Sequence, residues 1–291
     1  MSGIINKQKL EYLENIEVEA QKLYSQAPDA DPGNLENVPK VAIWHRAPGG
    51  DFEFLSAQDP KFAIIQNRDI FRAMDEVAFD KGVKLEVDYA GYHRGRTMVN
   101  FIIPDAEFNV PGDSSAIKPG ILTGNHYGGG GSVQHLPSSV RGVCSNGMIH
   151  KTDLAAATKR KHFGIIDYKD IYEMTALALN NLEDAVALMK LTAEVSARTM
   201  VSDEQVIALL EQIEKGVAKK YHETLTSVID ANLQELGHNA WGMVQGVSEL
   251  YQHHLKGDSF NGGKLRWRDN SIEKVLREAG VSREVKVLIN R

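Results

Sequence analysis

Cysteine is almost missing from this chain: Cys144 stands alone in 291 residues. One thiol can form neither an intrachain disulfide nor a cysteine-built zinc cluster, which suits a reducing compartment. No stretch approaches the ~20 consecutive apolar residues of a membrane-spanning helix. Positive charge is not in excess either. Lys and Arg number 33 against 39 Asp and Glu, a formal charge of −6, whereas a dedicated duplex-binding protein is usually basic. Met1 to Gln26 is charged throughout and has no apolar core segment, so no signal peptide is expected and the expected location is cytoplasmic. Two catalytic signatures are absent. No Gly-Lys-Ser/Thr follows the glycine run, which excludes a Walker A loop. His222-Glu223 is not completed by a second His, which excludes zinc-protease chemistry.

What is present is ordinary globular material, 42% hydrophobic and 25% charged, and enough of it to bury a core. Residues 4–25 carry Leu10, Leu13, Ile16, Ala20 and Leu23 at helical spacing, which predicts an amphipathic N-terminal helix. Ala27 to Pro39 is rich in Pro, Asp, Gly and Asn and predicts a linker. Val41–Trp44 and Phe52–Leu55 predict two strands joined by a turn at Pro48-Gly49-Gly50. Asn67 to Lys81 predicts a helix stopped by Gly82. Val83, Leu85 and Val87 alternate with charged residues as in a half-exposed strand. Thr97–Ile103, Ile117–Thr123 and Ser138–Cys144 are further strand candidates, and Tyr89 to Arg96 is expected to be a loop. After about Gly164 the spacing is helical, and Ser202 with Gln205 forms a capping-box signature. Strands first and helices afterwards predict an α+β fold. The expected division is an N-terminal helix and linker over 1–39, an antiparallel or mixed sheet domain over 40–165, and a helical region over 166–291 packing on the sheet domain.

Four ordered stretches carry a family likeness. They are Ile64-Ile65-Gln66-Asn67 with Phe71 and Asp75; Gly91-Tyr92-His93-Arg94-Gly95-Arg96; Ile121 to Gly128 leading to Val140 to Gly147; and Asn239-Ala240-Trp241-Gly242 through Ser248 to His254. In order and spacing they resemble a phage- and plasmid-borne family known as domain of unknown function 932, over roughly residues 40–255. The third motif departs from the family's usual Asn-Ser-His-Asp-Gly-Ser: here Gly124-Asn125-His126-Tyr127 runs into four glycines, so no carboxylate role carries over. The resemblance implies a setting among phage or plasmid replication and recombination genes.

Two features suggest a polyanion ligand. Gly124 to Ser132 holds five glycines in nine residues, and Gly128, Gly129, Gly130 and Gly131 could converge backbone N–H groups on a phosphate; a plain hairpin tip is the competing reading. Arg141 to Lys169 carries six cations against two carboxylates in an acidic chain. With Arg94 and Arg96, the residues Arg141, Lys159, Arg160 and Lys161 would neutralise phosphates, while Tyr92, Tyr127 and Phe163 could stack bases; a merely solvated run is the alternative. Lys264-Leu265-Arg266-Trp267-Arg268 is a second basic–aromatic cluster, or else a Trp buried in the bundle.

The expected function is therefore single-stranded DNA binding, extending to strand annealing, by a homo-oligomer that needs no cofactor, metal or catalytic residue and no membrane. One rival is an interaction or regulatory protein, for instance in counter-defence, that uses its acidic face. The other is an enzyme built on Cys144, with His126, His135 or His150 as base, or on a site from His238, Glu249, His253 and His254.

Overall fold

The strongest helical stripe in the sequence becomes a helix in the computed structural model, which describes residues 3–25, 36–128, 131–141, 146–149, 157–255 and 262–289. Helix α2 (Asn67–Asp80) buries Ile70, Phe71, Ala73, Met74, Val77 and Ala78. It ends at Lys81, and Gly82 takes the positive φ of 67° that lets the chain turn away.

The chain forms two units from interleaved segments. Unit one is Met1–Phe101, Ile121–Leu136 and Ala155–Asn181; unit two is Ile102–Gly120, Pro137–Leu154 and Leu182–Arg291. The architecture is α+β, as expected.

Unit one holds a mixed sheet. Its strands are β1 (Ile4–Ile5), β5 (Leu85–His93), β6 (Arg96–Ile102) and the unit-one parts of β8 (Ala116–His126) and β9 (Ser132–Arg141), in that order, with β11 (Thr158–Lys161) beside β9. The β1–β5 pair is parallel and the β9–β11 pair antiparallel. Helices α2 and α3 (Tyr168–Asn180) pack on each other, and Asp167 closes a capping box at the start of α3. A separate antiparallel sheet runs β2 (Glu17–Ser25), β3 (Glu36–Arg46) and β4 (Glu53–Gln58).

The N-terminal expectation needs correcting. Only α1 (Gln8–Glu14) is helical, with Leu10 and Leu13 buried. From Glu17 the chain is a strand, with Val18 buried between exposed Glu17 and Glu19 and with β3 supplying the ladder. Local spacing cannot register a partner strand that lies further along the chain. Of the expected linker, 27–35 lie outside the described residues and Glu36 onward belongs to β3. The predicted loop Tyr89–Arg96 is also mostly strand. Arg94 and Gly95, with φ of 43° and 76°, form a two-residue turn between β5 and β6. Positive φ at both positions matches the right-handed twist of paired strands.

Unit two holds helices α4 (Leu182–Arg198), α5 (Asp203–Glu214), α6 (His222–Leu236), α7 (Ala240–Glu249), α8 (Gly262–Glu278) and α9 (Val281–Ile289). The short strand β7 (Phe108–Asn109) pairs with the start of β8, and β10 (Asn146–Ile149) with the end of β9. The core joins Leu209, Leu225, Ile229, Trp241, Val247 and Val275 with Phe108 and Ile117. Ser202 and Gln205 form the anticipated capping box of α5. Among the described residues no helix is long and apolar enough to cross a membrane.

Candidate nucleic-acid interface

The sheet of unit one has two chemically different faces, and backbone register decides which residue lies on which. The Tyr127 N–H donates to the Gly95 carbonyl at 2.9 Å, which sets Arg96 opposite His126 and Met98 opposite Gly124. Thr123 and His135 meet at 2.9 Å, and a Cβ on Gly124 would lie 3.4 Å from the Gln134 side chain, so Gly124 is level with Gln134 and His126 with Ser132. Between β9 and β11 the partners are Gln134 with Lys159 and Ser132 with Lys161. Residues directly opposite one another share a face. One face therefore carries two cross-strand rows, Arg96–His126–Ser132–Lys161 and Met98–Gly124–Gln134–Lys159. Neither row contains a carboxylate.

The opposite face is sealed by helices and is polar inside. Asn67 of α2 donates from Nδ2 to the Leu13 carbonyl and to Thr97 Oγ1, at 3.1 and 2.9 Å. Its Oδ1 accepts from Asn125 Nδ2 at 2.9 Å. Asn125 also donates to the Ile65 carbonyl, and its Oδ1 lies 2.9 Å from His162 Nε2. The other ring nitrogen of His162 lies 2.8 Å from the Ala63 carbonyl. Burial pushes the His162 pKa down, with the Ala63 contact opposing it. His135 is fully buried. Thr175 spends its hydroxyl proton on the Ile171 carbonyl, so it accepts from His135 Nε2–H at 3.1 Å, and Thr123 donates to Nδ1. The neutral ring is thus satisfied, and burial lowers its pKa to about 4.

The expected contact residues divide among several environments. Arg94 is exposed at the β5–β6 turn. Arg96, half-buried, and Lys159 and Lys161, exposed, share the face of the two cross-strand rows, whose central residues Gly124 and Ser132 are buried. Lys159 and Lys161 form no ion pair with any described residue. Arg160 alternates to the other face, where its guanidinium meets the Ile165 carbonyl at 3.4 Å and Asp170 at 3.8 Å. Phe163, just past β11, is 53% exposed.

Two expectations need correction. Tyr127 cannot stack on a base: it is fully buried, its hydroxyl donates to the Ile65 carbonyl at 2.8 Å, and burial raises its pKa. Arg141 is a structural cation of unit two and not a phosphate ligand. It is 1% exposed and makes two 2.8 Å bonds to Asp113 and one to Glu235. Asp113 also accepts from Trp241 Nε1 at 3.0 Å. Burial alone would raise the Asp113 pKa, but the bonds from Arg141, Trp241 and the Ser115 N–H outweigh it and hold the carboxyl below its ordinary range. Of the glycine run, the Gly131 N–H donates to the Gly128 carbonyl at 2.8 Å. Gly129 and Gly130 lie outside the described residues, as do Cys144, His150 and Lys151.

Trp267 packs in unit two, donating to the Ile213 carbonyl at 3.2 Å, and Arg268 is buried against Asp269 and the Tyr251 ring. The side chains of Lys264, Leu265 and Arg266 lie outside those described. Glu249 accepts from Asn232 at 2.8 Å with His254 at 4.0 Å, while His238 faces Asp203. Among the described residues, no three His, Cys, Asp or Glu are grouped to hold a metal.

Sequence reasoning named His126 only as a candidate base and did not single out Ser132, Gln134 or Met98. The signal for three of them was available, because strand alternation counted outward from the glycine tip places His126, Ser132 and Gln134 on one face. His126 lies over the tip: a Cβ on Gly128 would come within 2.6 Å of its Nε2. Burial, then the neighbouring Arg96 and His162, lower its pKa to about 4, so at neutral pH it offers a hydrogen bond and not a charge.

A family model with the description domain of unknown function (DUF932) matches residues 54–286. No curated protein and no solved structure matches the chain.

Proposed function

Since the chain belongs to the DUF932 family, whose description assigns no chemistry, we propose from the cation-bearing sheet face that it binds single-stranded DNA. The observation that carries this reading is the placement of exposed Lys159 and Lys161 on the face that also carries Arg96, with Arg94 at its rim and Phe163 exposed at the end of β11. Cations neutralise phosphates and release counterions, and an exposed ring stacks on any base. A net charge of −6 does not oppose this, because contact depends on the local patch and not on the total.

Shape favours a single strand over a duplex. Four strands about 4.8 Å apart present a face roughly 14 Å wide between the outer backbones. The major groove, about 12 Å wide, admits a two-stranded ribbon but not a sheet of that width. On this reading, copies of the protein repeated as a homo-oligomer lengthen the strip, and the work is annealing or protecting phage or plasmid strands in the cytoplasm.

Filter binding with single- and double-stranded DNA at two salt concentrations tests the reading. Single strands should be retained at low salt and released at high salt. The double variant Lys159→Glu/Lys161→Glu should lose at least tenfold in affinity with its fold intact. Absence of retention, retention indifferent to salt, or an unaffected double variant would refute it.

A further inference from the structure

The turn that follows β11 holds two apolar side chains out to solvent. Phe163 is exposed and Ile165 is 93% exposed, with only Gly164 between them. One exposed apolar residue is ordinary on a protein surface. Two within three residues, on a turn held in place, are not. Gly164 has a φ of 82°, which glycine adopts without strain, and a Cβ there would meet no atom within 4 Å, so the crown of the turn is open to solvent. Its base is fixed on both sides. The Gly164 N–H donates to the Lys61 carbonyl at 2.9 Å, and the Phe163 N–H to the Lys161 carbonyl at 2.8 Å. Arg160 Nη2 donates to the Ile165 carbonyl at 3.4 Å. Just before the turn, His162 stacks on Phe62 with ring centroids 5.1 Å apart, and its Nδ1 lies 2.8 Å from the Ala63 carbonyl. The backbone is therefore ordered before any ligand arrives, which favours binding.

Charge and size together name the occupant. Residues 59–61 and 158–170 carry five cations (Lys61, Lys159, Arg160, Lys161 and Lys169) against three carboxylates (Asp59, Asp167 and Asp170). Lys61, Lys159 and Lys161 are exposed and form no ion pair with any described residue. Two apolar side chains are too few for a stable protein interface, which takes about 800 Å² per partner. They bury no more hydrocarbon than a single acyl chain, which holds a protein to a membrane only marginally. A base step, in contrast, is filled by one such side chain, and Phe and Ile are both found as wedges between stacked bases. Resting on the proposed single-strand reading, we infer that Phe163 and Ile165 form a wedge that enters between neighbouring bases of the bound strand and unstacks them, while Lys159 and Lys161 hold its phosphates. Stacked bases lie about 3.4 Å apart along a strand, and an inserted ring or branched chain roughly doubles that gap. The opened strand is extended, with its base edges free, which is the state a strand must reach before it pairs with a complement.

The test uses the full chain and a single-stranded oligo-dA carrying one 2-aminopurine, whose emission is quenched while it is stacked on its neighbours. Binding at low salt should raise that emission. The double variant Phe163→Ala/Ile165→Ala removes only exposed side chains and should keep the native circular dichroism. It should abolish the rise and weaken retention on a filter by about tenfold, within the range for one lost base contact. Its salt slope should be unchanged, because no phosphate ligand is lost. Leu177→Ala, which removes a similarly exposed side chain on α3, should alter neither emission nor retention. Binding without a rise, a rise that survives the double variant, or a rise lost equally in Leu177→Ala overturns the inference and leaves salt-dependent binding standing. So does binding to phosphatidylglycerol–phosphatidylcholine vesicles that needs both side chains while the emission stays flat, since the turn then belongs to a lipid surface. If no oligonucleotide is retained, or retention ignores salt, the single-strand reading itself falls and the wedge goes with it.

Discussion

Arg141 and Lys161 belong to the same basic stretch of sequence but have opposite fates. In unit two, Arg141 is sealed in a closed set with Asp113, Glu235 and Trp241. In unit one, Lys161 and Lys159 lie on an exposed strand edge with no carboxylate in their rows. The difference teaches that a run of cations is not yet a surface. Each one counts toward a ligand only if folding leaves it without an acid.

The largest effect that sharpens this contrast should come from Asp113→Ala. It leaves Arg141 buried with only the half-exposed Glu235, and strips Trp241 Nε1 of its acceptor. A loss of about 3–5 kcal/mol is expected in denaturant unfolding, whereas Lys161→Ala should change stability by about 0.5 kcal/mol or less. Comparable losses from the two would break the distinction.

Acid provides the next test, because burial on the covered face of the sheet lowers the pKa of His135 and of His162. His135 has a folded pKa of about 4, below the ordinary 6.5. The unfolded chain therefore takes up a proton as pH falls below about 6.5 while the folded ring does not. Stability is full above that value, declines with falling pH, and levels off below about 4, a loss of a few kcal/mol. His162, also lowered by burial, adds with the same sign. Chemical denaturation followed from pH 7 to 4 should show the decline, and His135→Gln should flatten it. A profile identical in that variant would remove His135 from the account.

Adjacent residues on β11 give a finer test. Lys161→Ala should reduce single-strand affinity several-fold and lower the magnitude of the log–log salt slope by about 0.7, the value for one phosphate on a single strand. Arg160→Ala should leave that slope unchanged, since Arg160 points to the other face near Asp170. Equal effects of the two would mean that charge density and not face governs binding. The smallest effect is expected from Glu235→Ala, under about 1 kcal/mol, because that carboxylate is 56% exposed and water replaces it.

Much of the fold was legible. The α2 stripe, the Gly82 stop, the β3–β4 turn and the Ser202 cap are local signals that act within a few residues. The helix expected over residues 4–25 misled because Leu10, Leu13 and Ile16 satisfy a helical period while Val18 begins an alternation whose partner strand lies about two dozen residues on. The candidate site was half legible. Arg94, Arg96, Lys159 and Lys161 were identified as cations, but nothing local separates them from Arg141. Tyr127 was misjudged because an aromatic beside a glycine run suggests exposure, while its hydroxyl is committed to the buried Ile65 carbonyl.

By itself, the order of residues determined the class of fold, the helix stops and caps, the exclusion of an intrachain disulfide and the family likeness, because each depends on composition, short spacings or ordered motifs. Tertiary structure alone decided how interleaved segments make two units, which cations were neutralised, and that Arg96, Gln134 and Lys159 share a face. Those outcomes depend on strand register and on partners far apart in the chain, and a one-residue shift in register would have turned every side chain of a strand to the other side.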